Sequence, residues 1–113
     1  MLKGMGDLAK LMSQAGEIQR KVAEAQERVG DLRAEGSAGA GMVSATATGK
    51  GELIALSVDQ SLIDGTEDKA VLEDLIVAAV NDATAKAREL AADEMAKVTE
   101  GLPLPPGMKP PFG

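Results

Sequence analysis

The sequence predicts an α+β fold, with a long N-terminal helix, a three-stranded antiparallel sheet, a long C-terminal helix and an extended proline-rich tail. Three observations predict it. Apolar residues recur at helical spacing over residues 7–34, they alternate with a period of two between residues 42 and 58, and helical spacing returns after residue 66. The five prolines of the chain then all fall within residues 101–113, where neither a helix nor an inner strand can form.

The first helix is predicted over residues 7–34, with Asp7 as its N-terminal cap. Its apolar residues are spaced alternately three and four apart, which is the heptad seam of a helix that packs along one partner helix. The seam consists of Leu8, Leu11, Ala15, Ile18, Val22, Ala25, Val29 and Leu32. At about 1.5 Å per residue this helix is roughly 40 Å long, so we expect it to project from so small a domain.

The middle third of the chain predicts the sheet. Residues 42–48 and 52–58 alternate in the manner of strands, and Gly49 and Lys50 between them suit a two-residue type II′ hairpin turn. The glycine-rich residues 35–41 fit either a third strand or a loop, and residues 59–65 fit a turn.

The second helix is predicted from a cap at Thr66 to about Glu100, where Gly101 and Pro103 end it. Residues 1–101 then form a single domain, and residues 102–113 form an extended proline-rich C-terminal arm.

The core predicted from this sequence is thin, because the only aromatic residue is Phe112 in the arm. Apolar side chains also crowd onto more than one face of the second helix. We therefore expect a second copy to deepen the core, giving a homodimer. The predicted dimer interface consists of Leu72, Leu75, Ile76, Ala79 and Val80.

Composition argues against several classes of protein. The chain contains no Cys, His, Tyr or Trp, so it lacks thiolate ligands and the commonest general acid or base. We expect a protein that is not an enzyme, with no catalytic residues, no cofactor, no metal and no small-molecule substrate. No apolar run approaches the roughly 20 residues that cross a bilayer, so we expect a cytoplasmic protein without a membrane partner.

The charge distribution points to the N-terminal half as a surface for nucleic acid. The net charge is −6, but residues 1–50 carry seven basic and six acidic groups, and residues 51–113 carry five and twelve. A second interpretation stays open for the first helix, since Glu17 with Lys21 and Glu24 with Arg28 have the spacing of helix-supporting ion pairs. The candidate DNA-binding residues are Lys3, Lys10, Arg20, Lys21, Arg28, Arg33 and Lys50.

Several segments together resemble one family. MLKGMGDLAKLM at residues 1–12, GAGMV at residues 39–43 and GKGE at residues 49–52 are similar to segments of YbaB/EbfC proteins. The helix segment LEDLIVAAVNDA at residues 72–83 and the ending GLPLPPGM at residues 101–108 are the most specific parts of the resemblance.

This resemblance implies a homodimer with two long helical arms that project like tweezers. It implies binding to double-stranded DNA with little or no sequence preference, in the cytoplasm and nucleoid of a bacterium, with a role in nucleoid organisation or gene regulation. The alternative is a protein–protein adaptor of the same fold that acts through its acidic second helix or its proline-rich arm.

Overall fold

The computed structural model describes residues 2–65 and 67–100, and it confirms the predicted order of helix, sheet and helix. The predicted proline-rich arm lies outside the described residues. In chain order the elements are helix α1 (Leu2–Asp31), strands β1 (Arg33–Ala38), β2 (Val43–Thr48) and β3 (Leu53–Val58), a 3₁₀ turn (Gln60–Leu62) and helix α2 (Lys69–Thr99).

Helix α1 differs from its prediction at both ends. It begins at Leu2, so Asp7 lies inside the helix and is not its cap, because the preceding residues continue the same helical turns. At the other end, the Leu32 amide still donates to the carbonyl of Arg28 at 3.1 Å. Arg33 then pairs with Thr48 across the sheet, and this pairing ends the helical conformation three residues earlier than predicted.

The three strands form an antiparallel sheet in the order β1-β2-β3. The predicted type II′ turn between β2 and β3 is wrong, because the positive φ of 86° belongs to Gly51 and not to Gly49. The Gly51 amide donates to the Thr48 carbonyl at 2.8 Å, and the Thr48 amide donates to the Glu52 carbonyl at 2.8 Å. A hydrogen-bonded turn followed by a glycine of positive φ is typical of a longer hairpin loop with a bulge.

Helix α2 packs on one face of the sheet, over β1 and β2. Its start is capped by Asp68, whose carboxylate accepts from the Ala70 amide at 3.3 Å; the predicted cap, Thr66, is therefore wrong and itself lies outside the described residues. The interior is made largely of small residues, which lets the helix sit close to the sheet. The core cluster consists of Ala34, Val43, Ala45, Ala47, Leu62, Ala79, Ala83 and Ala87.

Gly36 marks the closest approach of α2 to the sheet. A Cβ atom at this position would lie 2.1 Å from the Ala83 backbone nitrogen and 2.6 Å from the Ala79 carbonyl oxygen. The glycines that made residues 35–41 ambiguous in sequence thus include one that the packing of helix on strand requires.

Among the side chains that the structure describes, those of α1 that pack on α2 lie in its C-terminal half. There Ala25 and Val29 are buried, and Val22 and Ile18 are half-buried. Residues 6–17 are all exposed, so the N-terminal half of α1 projects past the end of α2 as predicted.

Candidate nucleic-acid interface

Two of the predicted DNA-binding cations meet at the C-terminal end of α1. Arg33 donates from Nη1 to the carbonyl oxygens of Gly30 at 2.9 Å and Leu32 at 3.0 Å. The aliphatic part of Lys50 lies over Gly30, where an added Cβ would stand 3.2 Å from Lys50 Cε. Cations here are favourable because the carbonyl end of a helix carries partial negative charge. Arg33 and Lys50 thus both lie near Gly30. Arg33 also lines a cleft with the acidic residues Glu35, Glu89 and Asp93.

A third predicted cation, Arg28, is directed at α2. Its Nε donates to Glu94 Oε1, while Lys97 Nζ donates to Glu94 Oε2 at 3.2 Å. The Glu94 side chain is only 12% exposed. Hydrogen bonds from Arg28 first and Lys97 second hold the pKa of this carboxyl below its ordinary value of 4.5. Arg28 therefore fastens α1 to α2.

The role of Glu94 could not be recognised from the sequence. The partners Arg28 and Glu94 are separated by 66 positions, so no local spacing reveals them. The expected pair of Glu24 with Arg28 is also wrong, because Glu24 Oε1 instead accepts from Arg20 Nη1 at 3.4 Å.

The remaining candidate cations are spread along α1. Lys21 lies 3.6 Å from Glu17, as its spacing predicts, and both side chains are about half exposed. Lys10 is exposed on the projecting half, and within the part of the chain that the structure describes it forms no ion pair. The side chain of Lys3 lies outside the described residues. Among the candidates whose side chains the structure describes, Arg33 and Lys50 lie near one another at the base of α1, and the others are spread along the helix.

Helix α2 carries exposed charges of both signs. Its exposed acidic residues are Glu73, Asp74, Glu89 and Asp93, and its exposed basic residues are Lys69, Lys86, Arg88 and Lys97. Asp82, also on α2, accepts from the Ser37 amide of β1 at 3.1 Å and from Lys86 Nζ at 3.0 Å. These two contacts, in that order, lower the pKa of the Asp82 carboxyl.

The predicted dimer-interface residues pack largely within the chain itself. Ala79 is fully buried, whereas Leu72, Leu75, Ile76 and Val80 are half-buried against the core cluster. Exposed apolar residues lie on β3 and on the side of α2 that faces away from the sheet. They include Leu53, Ile54, Leu56, Val71 and Val77.

Two further kinds of site are absent from residues 2–65 and 67–100. These residues contain no cluster of acidic side chains arranged to hold a metal ion. Neither of their long helices has an apolar stretch sufficient to cross a membrane.

Comparison with known proteins gives consistent matches along the chain. The profile of the YbaB/EbfC DNA-binding family matches residues 5–102. A nucleoid-associated protein of Granulibacter bethesdensis is 55% identical over 108 residues, which cover 96% of this chain and all of the relative. A crystal structure of an uncharacterized protein from Helicobacter pylori superimposes with a TM-score of 0.67 at 25% identity, covering 79% of this chain and 92% of that one.

Proposed function

Since the chain belongs to the YbaB/EbfC DNA-binding family, we propose that it binds double-stranded DNA as a homodimer in the bacterial nucleoid. The observation that carries this proposal is the family match, which spans nearly the whole chain. The protein acts in the cytoplasm as an architectural or regulatory binding protein and not as an enzyme. Its partners are DNA and a second copy of itself, with no cofactor, membrane or small-molecule substrate.

The proposed contacts are mainly to phosphates. Lys10 is exposed on the projecting half of α1, and the exposed side chains of Arg33 and Lys50 lie near Gly30 at the base of this helix. Phosphate contacts position a protein on the duplex without reading sequence, which fits the absence of a base-reading motif in this sequence. The proposed contact residues are Lys3, Lys10, Arg20, Lys21, Arg28, Arg33 and Lys50, with Arg28 mainly holding α1 in place.

The proposed dimer contact lies on the apolar surface formed by β3 and the outer side of α2. Leu56 and Val77 are 45% and 58% exposed in the single chain. Exposed apolar side chains, where they gather into a patch, are characteristic of protein–protein contacts. The half-buried residues Leu72, Leu75, Ile76 and Val80, together with the buried Ala79, lie beneath or beside this surface.

A pair of charge reversals tests the DNA contact. Lys10→Glu with Lys50→Glu removes cations of the proposed surface that form no ion pair within the described residues. The matched control, Lys69→Glu with Arg88→Glu, makes the same change of net charge on α2. DNA affinity at low salt should fall by about ten-fold or more in the first variant only. Its salt slope should become shallower by about 0.9 for each phosphate that the variant no longer neutralises.

Equal DNA binding by the two double variants would contradict the proposed surface while leaving the family assignment intact. Circular dichroism should show both variants folded, because all four substituted side chains are exposed.

The acidic exposed face of α2 favours one second candidate function. A protein–protein adaptor would use this face, or the proline-rich arm, to bind a partner protein. Wild-type protein that fails to bind DNA even at low salt would support the adaptor and exclude the DNA-binding proposal.

A further inference from the structure

The projecting half of α1 carries an apolar stripe that the rest of the described chain does not cover. Leu8, Leu11 and Met12 are 59%, 61% and 68% exposed. Ala15 continues the stripe toward Ile18, where burial against α2 begins. We call Leu8, Leu11, Met12 and Ala15 the bare stripe. All but Met12 belong to the same heptad seam whose C-terminal half, at Ala25 and Val29, is buried.

The course of α2 shows where the described chain ends. Along β1 and α2, Ser37 meets Asp82 and the Glu35 carbonyl meets Lys86, so the two elements run in opposite directions. The same trend continues onto α1, where Arg28 meets Glu94. Helix α2 therefore runs antiparallel to α1. It ends at Thr99, beside the middle of α1 and close to where the bare stripe begins.

We propose that the C-terminal arm, residues 102–113, lies along the bare stripe of α1. The reach is sufficient, because twelve residues of extended polyproline conformation span about 37 Å. The distance along α1 from Val22 to Leu8 is only about 21 Å. The composition also fits, since the arm contains Leu102, Leu104 and Met108 and only one charged residue, Lys109.

Two physical arguments favour the arm over a second copy of α1 as the occupant. The arm is tethered directly beside the stripe, so its effective concentration there is on the order of millimolar. Its prolines also reduce the conformational entropy that docking removes. The inference goes beyond DNA binding and dimer formation, and it does not depend on either.

Cross-linking tests the proposal in the full-length chain, which has no native Cys. Leu11→Cys with Leu104→Cys places thiols on the stripe and on the arm. The matched control, Ser13→Cys with Leu104→Cys, places the first thiol on the opposite side of the same helical turn. Under mild oxidation without DNA, the first pair should form an intrachain disulfide at about ten times the yield of the control. Equal yields would overturn the proposal.

Non-reducing gel electrophoresis of the oxidised variants also shows whether a disulfide joins residues of one chain or of two chains. A disulfide that links two chains in the Leu11→Cys, Leu104→Cys variant would assign the arm to a partner and overturn the intrachain docking. Efficient dimer cross-linking by Leu11→Cys alone would show that a second α1 covers the stripe, and would overturn it as well.

Fluorescence gives an independent measurement, because the chain has no native Trp or Tyr. In the Leu104→Trp variant, the tryptophan emission maximum should lie at a shorter wavelength than in an isolated peptide of the arm that carries the same substitution. Adding Leu8→Ser and Leu11→Ser should shift it to the red without unfolding the protein, since both side chains are exposed. Emission identical to that of the peptide would contradict docking.

Discussion

The two edge strands of the sheet differ sharply. On β1, the outward-facing Ser37 amide donates to Asp82 and the Glu35 carbonyl accepts from Lys86, so side chains of α2 occupy the edge. On β3, Leu53, Ile54 and Leu56 are 43%, 49% and 45% exposed, so apolar side chains are open on both faces. Side chains of α2 thus cover the β1 edge of the sheet, whereas β3 at the other edge is left uncovered by the described chain.

The difference shows how a small chain divides its limited apolar surface. One helix can cover about two strands, and α2 covers β1 and β2. An open edge strand with apolar side chains is a liability in a free monomer. Its presence here supports the proposal that a second chain completes this side of the protein.

The largest expected effect is on stability and concerns β1, the edge strand that α2 covers. Gly36→Ala would place a Cβ within 2.1 Å of backbone in α2, and neither backbone can move without separating helix from strand. We expect a loss of more than about 3 kcal/mol in the free energy of unfolding, measured by urea denaturation.

The uncovered strand provides the control for this prediction. Ala55→Val on β3, whose residue is exposed, should change the free energy of unfolding of the folded chain by less than about 0.5 kcal/mol. A Gly36→Ala variant as stable as wild type would mean that α2 does not approach β1 this closely.

The next effect lies on β3. Leu56→Lys should leave the chain folded, because this side chain is already partly exposed, and should raise the dimer dissociation constant by about ten-fold or more through burial of an unpaired charge. Sedimentation velocity across a concentration series measures it. Ser57→Lys, the next residue along the strand, should have a smaller effect; equal effects would argue against this surface.

The smallest effect concerns the Asp82 contact at the β1 edge. The pKa of Asp82 is lowered from 3.8 by the Ser37 amide and then by Lys86. The ionised carboxylate therefore adds to the free energy of unfolding above pH 3.8, and this contribution is lost as the pH falls through the lowered pKa. Asp82→Asn should lower Tm slightly at pH 7 and reduce the loss of Tm on acidification. Asp74→Asn, also on α2, should keep the wild-type acid response, and an unchanged response in Asp82→Asn would refute the role of this contact.

The order of elements could be predicted because each periodic pattern is local. The heptads of α1 and the alternation of β2 are visible in any short window of sequence. Strand β1 could not be assigned in the same way, because Gly36 interrupts its alternating pattern. A glycine is required there by the backbone of Ala83, which lies 47 positions away in the sequence.

The candidate site was predictable only in part, for a related physical reason. Sequence locates the cations but not their partners, so it could not show that Arg28 pairs with Glu94 while Lys50 stays exposed. It likewise could not show whether an apolar helix stripe faces its own sheet or another chain. Ala79 is covered by its own β1, whereas Val77, two positions before it, is exposed.

Contact with α2 ends near Ile18, so within the described chain the part of α1 beyond it is a projecting helical arm that only its own helical hydrogen bonds hold in place. From Ile18 to Gly6 the helix extends about 18 Å, so a tilt of about 10° at Ile18 moves Gly6 by about 3 Å. In the proposed dimer, the distance between two such helical arms would therefore depend on how Ile18 and Val22 pack against α2.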